Sequence, residues 1–231
     1  MTVTQVAGIY YVDDVVNVGP RLYREFAKVG TCEDPITESL THMFEVPAVD
    51  PDYTSLWPTT TTVLSVTTSG KIATVDLSGF VSLGAAFESA AVQQLVWTAT
   101  AADKTVTAVK LLVNGATPPS GHSNWSKPVG RANALDTLAY VWILQPTQGS
   151  SVTSPVKVRV YGTGYEGNVP IRVFKNGVLV ASTQVTTMMG GFAEATTSIP
   201  LRRGLYVIKA YNDNGKDSTL QLWDTKKFSV R

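Results

Sequence analysis

The sequence predicts a mixed α+β domain followed by an all-β sandwich. Three observations predict it. Helical and strand periodicities alternate in the first half of the chain. From Tyr140 onward the helical pattern disappears, and short alternating apolar runs recur between turn signals. Between the halves lies a stretch of turn chemistry: Asn114-Gly115, Pro118-Pro119, Ser120-Gly121 and Pro128-Val129-Gly130. The expected division is a first domain over 5–115, a linker over 116–138 and a second domain over 139–231.

The first domain reads as β-β-α-β-β-α-β, with two helices covering one sheet. Ile9-Tyr10-Tyr11-Val12 and Leu22 to Val29 read as neighbouring strands. Asp34-Pro35 predicts a helix start, because Asp34 can cap and Pro35 fits the first turn. Ile36, Leu40 and Phe44 would share one face of that helix. The polar, proline-bearing stretch Asp50 to Thr61 is expected to be a loop. Val63–Val66 and Ile72–Val75 flank Ser69-Gly70 as a hairpin. After Gly84 comes a second helix, with Ala91, Val92, Leu95, Val96 and Ala99 as its apolar stripe. Glu88, Ser89, Gln93 and Gln94 are expected on its opposite, polar side. Val106 to Val113 closes the half as a strand.

In the second domain seven runs read as strands: Val141–Leu144, Val156–Tyr161, Val169–Phe174, Val178–Val185, Phe192–Ile199, Leu205–Tyr211 and Leu220–Val230. Asn176-Gly177, Gly190-Gly191 and Asn214-Gly215 mark hairpin turns. The pattern is that of an antiparallel sandwich, with Val156, Val158 and Val160 facing Tyr206, Ile208 and Ala210 across the core.

Composition narrows the classes. The chain has 231 residues, 44% of them hydrophobic and 16% charged. No apolar run reaches the roughly 18 residues of a membrane span, and no charged-then-apolar amino terminus reads as a signal peptide. The expectation is a cytoplasmic protein or one trimmed of its targeting segment. The single cysteine, Cys32, excludes an intramolecular disulfide. Beside Glu33 and Asp34 its thiolate is disfavoured, so it reads as an inert thiol. Residues 1–115 carry a net charge of −6 and residues 116–231 a net charge of +7. An acidic half joined to a basic half supports two domains and raises the question of a charged partner.

Asp50-Pro51-Asp52-Tyr53-Thr54-Ser55-Leu56-Trp57-Pro58, Val63-Leu64-Ser65-Val66, Ala73 to Gly79 and Ala91 to Thr98 together resemble the GerMN domain of sporulation and spore germination. Val141 to Pro146, Val152 to Val158, Gly204-Leu205-Tyr206 and Asp224 to Phe228 resemble the immunoglobulin-like domain of bacterial spore germination. The two in this order are similar to actinobacterial envelope proteins, which are secreted or lipid-anchored. The resemblance implies an extracytoplasmic, non-enzymatic protein acting in protein binding or assembly. It supplies no catalytic residues. The sporulation proteins of this family can hold more than one GerMN copy, and related ring-building domains stack into large rings; one copy joined to a sandwich, as here, argues against a ring.

Residue chemistry leads the same way. His42 and His122 share no metal-ligand spacing and belong to no H-E-x-x-H motif. No G-x-S-x-G occurs. Asp13-Asp14 reads as a strand-end turn rather than an acid pair. Asn212-Asp213-Asn214-Gly215 has the oxygen ligands of a calcium loop but lacks the terminal glutamate, and it is also a strong turn. Gly70, Gly79 and Gly84 form no phosphate loop. No catalytic residue, cofactor or metal is expected. A cell-wall hydrolase stands as the remote alternative.

Candidate partner-binding residues are Lys157, Arg159, Arg172, Lys209, Lys227 and Trp125. Lys157 and Arg159 alternate with inward valines and so point outward. Arg172, Lys209 and Lys227 should face solvent on neighbouring strands, forming a cationic face. Trp125 is expected either to clamp the two domains or to be exposed for stacking on sugar rings, whereas Trp57 reads as a loop plug and Trp142 as core. The expected partner is an envelope protein or, alternatively, an anionic wall polymer or glycan. Salt-sensitive self-association is a further expectation. Membrane contact would need an anchor outside this chain, and nucleic acid is not expected.

Overall fold

The structure, a computed structural model, describes residues 4–31, 33–80, 83–118, 124–213, 215 and 219–231. Cys32, His122 and Asn214 lie outside the described residues. The chain divides into two compact units, Met1–Leu138 and Ala139–Arg231.

The first unit opens with β1 (Thr4–Val15) and β2 (Gly19–Gly30), an antiparallel ribbon. Helix α1 (Pro35–Glu45) follows. Asp34 caps it as expected: one carboxylate oxygen accepts the backbone N–H groups of Ile36 at 2.9 Å and Thr37 at 3.1 Å. Ile36, Leu40, Met43 and Phe44 are its buried face. The hairpin β3 (Val63–Ser69) and β4 (Ile72–Leu77) turns at Gly70, whose φ of +57° suits glycine. Then come α2 (Ala85–Ala102) and β5 (Ala108–Val113), the latter parallel to β4.

The expected single sheet is instead two hydrogen-bonded groups: the pair β1–β2, and a four-stranded sheet in the order β3-β4-β5-β6. Strand β6 (Val129–Gly130) and helix α3 (Ala134–Thr137) come from the segment expected to be a linker. Both elements belong to the first unit. Val129 pairs with Val109, and Leu138 bridges to Leu22.

The expected polar side of α2 is also corrected. Ser89 is exposed, but Glu88, Gln93 and Gln94 are buried. The reason lies in two segments remote in sequence. Gln94 accepts the Leu56 N–H at 3.0 Å and donates to the Tyr10 carbonyl at 3.0 Å. Gln93 accepts the Ala132 N–H at 2.8 Å and donates to the Gly130 carbonyl at 3.2 Å. Both amides thus satisfy backbone groups of segments packed over the helix, of which the Tyr10 carbonyl belongs to a buried residue. Trp57 plugs the loop side as expected. It is 3% exposed, and its ring N–H donates to the Ala91 carbonyl at 2.9 Å.

The second unit is a sandwich. Strands β7 (Val141–Gln145), β9 (Val156–Gly162) and β12 (Ala193–Ile199) form one sheet in the order β12-β9-β7. The other runs β11-β10-β13-β14-β8, built from β8 (Ser151–Val152), β10 (Asn168–Lys175), β11 (Val178–Thr186), β13 (Gly204–Asp213) and β14 (Leu220–Val230). Val156, Val158, Val160, Val169, Ile171, Val173, Tyr206, Ile208 and Ala210 are all buried, so the expected alternation holds. A bulge in β14 breaks it once. Ala210 pairs with Asp224 but Tyr211 with Leu222, which leaves Trp223 as the extra residue. Trp223 and Asp224 are consequently buried side by side. The Asp224 carboxylate accepts the Ile143 N–H of the opposite sheet at 2.6 Å and holds the Lys226 ammonium at 3.2 Å. It ties the two sheets through the core.

Candidate functional site

Strand order decides which basic residues can act together. Lys157 and Arg159 stand on β9, in the three-stranded sheet. Arg172, Lys209 and Lys227 stand on β10, β13 and β14, in the five-stranded sheet. Each residue points away from the core, as the alternation predicts. In a sandwich, however, the outer surfaces of the two sheets look in opposite directions. The single cationic face expected from sequence is therefore two faces. Lys157 is exposed on the first, and Arg159 sits 3.7 Å from the Glu194 carboxylate, a half-exposed surface pair. Such a pair contributes about 0–1 kcal/mol.

The five-stranded face is richer. Arg172 lies directly opposite Lys209 across β10 and β13. Like charges in that register repel, and each has an aromatic ring to lie against. The Arg172 guanidinium is 5.2 Å from the Tyr211 ring centre, and the Lys209 ammonium 5.3 Å from that of Phe174. Burial pushes the Tyr211 hydroxyl pKa above its ordinary value, and the adjacent Arg172 offsets part of that rise. A depression of about 410 Å³ is lined by Phe174, Leu205, Val207 and Lys227 among others. Leu205 is 74% exposed, and Leu179, opposite Phe174, is 49% exposed. The face thus combines cations, aromatic rings and uncovered aliphatic side chains.

The exposed, sugar-stacking alternative for Trp125 is corrected. The residue is 3% exposed, with its ring edge-on to Phe80 at 5.4 Å. Phe80 in turn meets Trp57 at 6.1 Å, and Trp57 meets Phe44 at 5.7 Å. A ring buried in that row is closed to a sugar. The sequence hid this, because turn-rich surroundings suggest exposure. Sequence reasoning also missed a basic group in the first unit, Arg24, Lys104 and Arg131, which line one cleft. No local signal marks them, since they are far apart in the chain.

The remaining candidate groups do not converge. His42 sits in the last turn of α1, where burial lowers its pKa. Asp13 and Asp14 belong to β1, opposite Arg21 and Pro20. Among the described residues no group of three or more His, Cys, Asp or Glu is placed to hold a metal ion. Among the described residues, too, no helix is long and apolar enough to cross a membrane.

The comparisons with known proteins follow the same division. The sporulation and spore germination family matches residues 8–118, and the immunoglobulin-like domain of bacterial spore germination matches residues 140–219. Among solved structures, the tandem GerMN domains of the sporulation protein GerM from Bacillus subtilis match at 17% identity and a TM-score of 0.45. That match covers 58% of this chain and 46% of the other, so the chain spans about half the length of that relative. A putative lipoprotein from Clostridium perfringens matches at 21% identity and a TM-score of 0.40, covering 55% of this chain and 87% of that one. The first GerMN domain of the same Bacillus subtilis GerM matches at 22% identity and a TM-score of 0.41, covering 48% and 84%. No curated protein matches the chain. The chain therefore carries a sporulation and spore germination (GerMN) domain followed by an immunoglobulin-like domain of bacterial spore germination.

Proposed function

We propose that this chain is a non-enzymatic, extracytoplasmic envelope protein, and that its immunoglobulin-like unit docks a partner protein through the outer face of the five-stranded sheet. The domain pair supports the location and the lack of catalysis. One observation carries the docking role: Arg172, Lys209 and Lys227 share that face with Phe174, Tyr211 and the uncovered Leu205 and Leu179. Arginine and aromatic residues are enriched in protein interfaces, which bury an apolar centre inside a polar rim. A purely anionic wall polymer would engage the cations and leave the leucines in water. The mixture therefore favours a protein with an acidic, partly apolar surface.

Exposed charges of this kind steer and orient an encounter more than they add affinity. They are screened over about 8 Å at physiological ionic strength. The test compares the wild type with the double variant Lys209→Glu, Lys227→Glu, each immobilised and exposed to solubilised envelope proteins and, separately, to purified wall polymer. The reading expects a protein retained by the wild type and released by the variant, with wall polymer ignored by both. Retention of polymer alone would make the unit a polymer-binding module instead. Lys157→Glu, on the other sheet, serves as the control and should change nothing.

A further inference from the structure

We propose that the cleft of the first unit receives an extended, acidic peptide segment of a partner protein, added as a strand to the free edge of β1. This site is separate from the sandwich face and does not rest on it.

The edge is the first observation. One side of β1 pairs with β2 along its whole length. On the other side the protection stops partway. Val12 exchanges two hydrogen bonds with Thr54, both of 2.8 Å. Tyr10 donates its N–H to the Thr98 hydroxyl at 3.1 Å and gives its carbonyl to Gln94 at 3.0 Å. The two-residue repeat of a strand puts the N–H and C=O of Gly8 and Val6 on that same edge. Among the described residues nothing meets them there. Val6 is 69% exposed. An unpaired edge of this kind is a template for another strand, and strand addition is a recurrent way of holding a peptide. The open stretch from Thr4 to Gly8 offers about 16 Å, enough for some five guest residues.

The cleft beside it supplies the second observation. It has a volume of about 800 Å³, and β1 residues 5–8 form one wall. Among the described residues three cations line it, Arg24, Lys104 and Arg131, and no aspartate or glutamate does. Two of them, Arg24 and Lys104, come from residues 1–115, which carry a net charge of −6, and Arg131 comes from the basic remainder of the chain. Arg131 is fixed in place. Its Nε donates to the Thr100 hydroxyl at 2.7 Å, and its guanidinium lies 4.2 Å from the Trp97 ring centre. A guanidinium held this way loses little freedom when it meets a carboxylate.

A third observation points the same way. Ser39 also lines the cleft, and its hydroxyl is buried and has no hydrogen-bond partner among the described residues. Buried hydroxyls are ordinarily bonded, so a guest carbonyl or carboxylate would satisfy it. Gly8 completes the geometry. A Cβ there would stand 3.1 Å from the Arg24 Cδ, so the missing side chain lets Arg24 lie across β1 toward the cleft. Alternate residues of an added strand face the same way. Acidic side chains at every second guest position would then face the cations, while the guest backbone pairs with Val6 and Gly8.

The test uses the whole chain and a fluorescent seven-residue peptide alternating glutamate and valine, with a lysine–valine peptide as counterpart. The wild type should bind the glutamate peptide and shift the Gly8 amide resonance, and should ignore the lysine peptide. Val6→Pro removes one edge N–H without touching the β1–β2 bonds, and should weaken binding about tenfold. Lys104→Glu, at an exposed position, should weaken it by a similar factor and make the residual binding less sensitive to salt. Both variants should keep the wild-type circular dichroism spectrum. Failure of the glutamate peptide to bind overturns the proposal. So does binding that survives Val6→Pro unchanged and is displaced by inorganic phosphate, which would make the cleft a plain anion site.

Discussion

Trp125→Ala probes whether the turn-rich segment after Gly115 is part of the first unit's core. The ring is 3% exposed and stands at the end of the row Phe44, Trp57, Phe80, Trp125. Burying a tryptophan removes about 200 Å² from water, which at about 25 cal/mol per Å² corresponds to about 5 kcal/mol. The indole N–H has no hydrogen-bond partner among the described residues, so the loss is reckoned as apolar. Partial collapse of the site lowers the cost, and truncations of this type run to about 3–5 kcal/mol. About 4 kcal/mol in a unit of this size lowers its melting temperature by roughly 12–20 °C. Scanning calorimetry of the whole chain, with residues 139–231 alone as the reference, separates the two units. The first unit's transition should fall by that amount and the second should stay where it is. An unmoved first transition, or a shift confined to the second, would refute the packing argument.

Other changes follow from single contacts. Asp224→Ala leaves the buried Lys226 ammonium without its carboxylate and the Ile143 N–H without its acceptor, and should cost about 3–5 kcal/mol in denaturant unfolding of the second unit. The double change Asp224→Leu, Lys226→Met removes both charges and should recover most of that loss, since apolar residues often replace a buried pair without penalty. Burial lowers the His42 pKa in the folded state, so protonation favours unfolding. The first unit should therefore hold its stability above the ordinary histidine pKa near 6.5 and lose some as pH falls through it. His42→Gln should remove that component of the pH profile.

Sequence patterns carried the local structure further than the surfaces. The capped start of α1, the buried stripe of α2 and the inward valines of the sandwich all follow from short-range periodicity, and all are present. The polar side of α2 misled because its covering residues, Leu56 and Gly130 to Ala132, are about forty positions away. Glutamines read as surface until a partner backbone is known to lie against them. Outward direction was equally legible for Lys157 and Arg172, but sheet membership was not. Direction depends on a two-residue repeat, whereas membership depends on which strand crosses to which sheet. The cleft cations illustrate the same limit at its extreme. Arg24, Lys104 and Arg131 come from a strand, a helix-to-strand loop and a strand end, and only the folded unit brings them to one cleft.

A photoreactive amino acid placed at Leu205 tests whether the five-stranded face docks a partner protein. Leu205 is 74% exposed on that face, while Lys157 marks the opposite one. Illumination of intact envelopes carrying the chain should give a discrete protein adduct from position 205 and none from position 157. Adding Lys209→Glu and Lys227→Glu should abolish it. An adduct from position 157 alone, or only a polymer adduct from position 205, would mean that this face docks no protein.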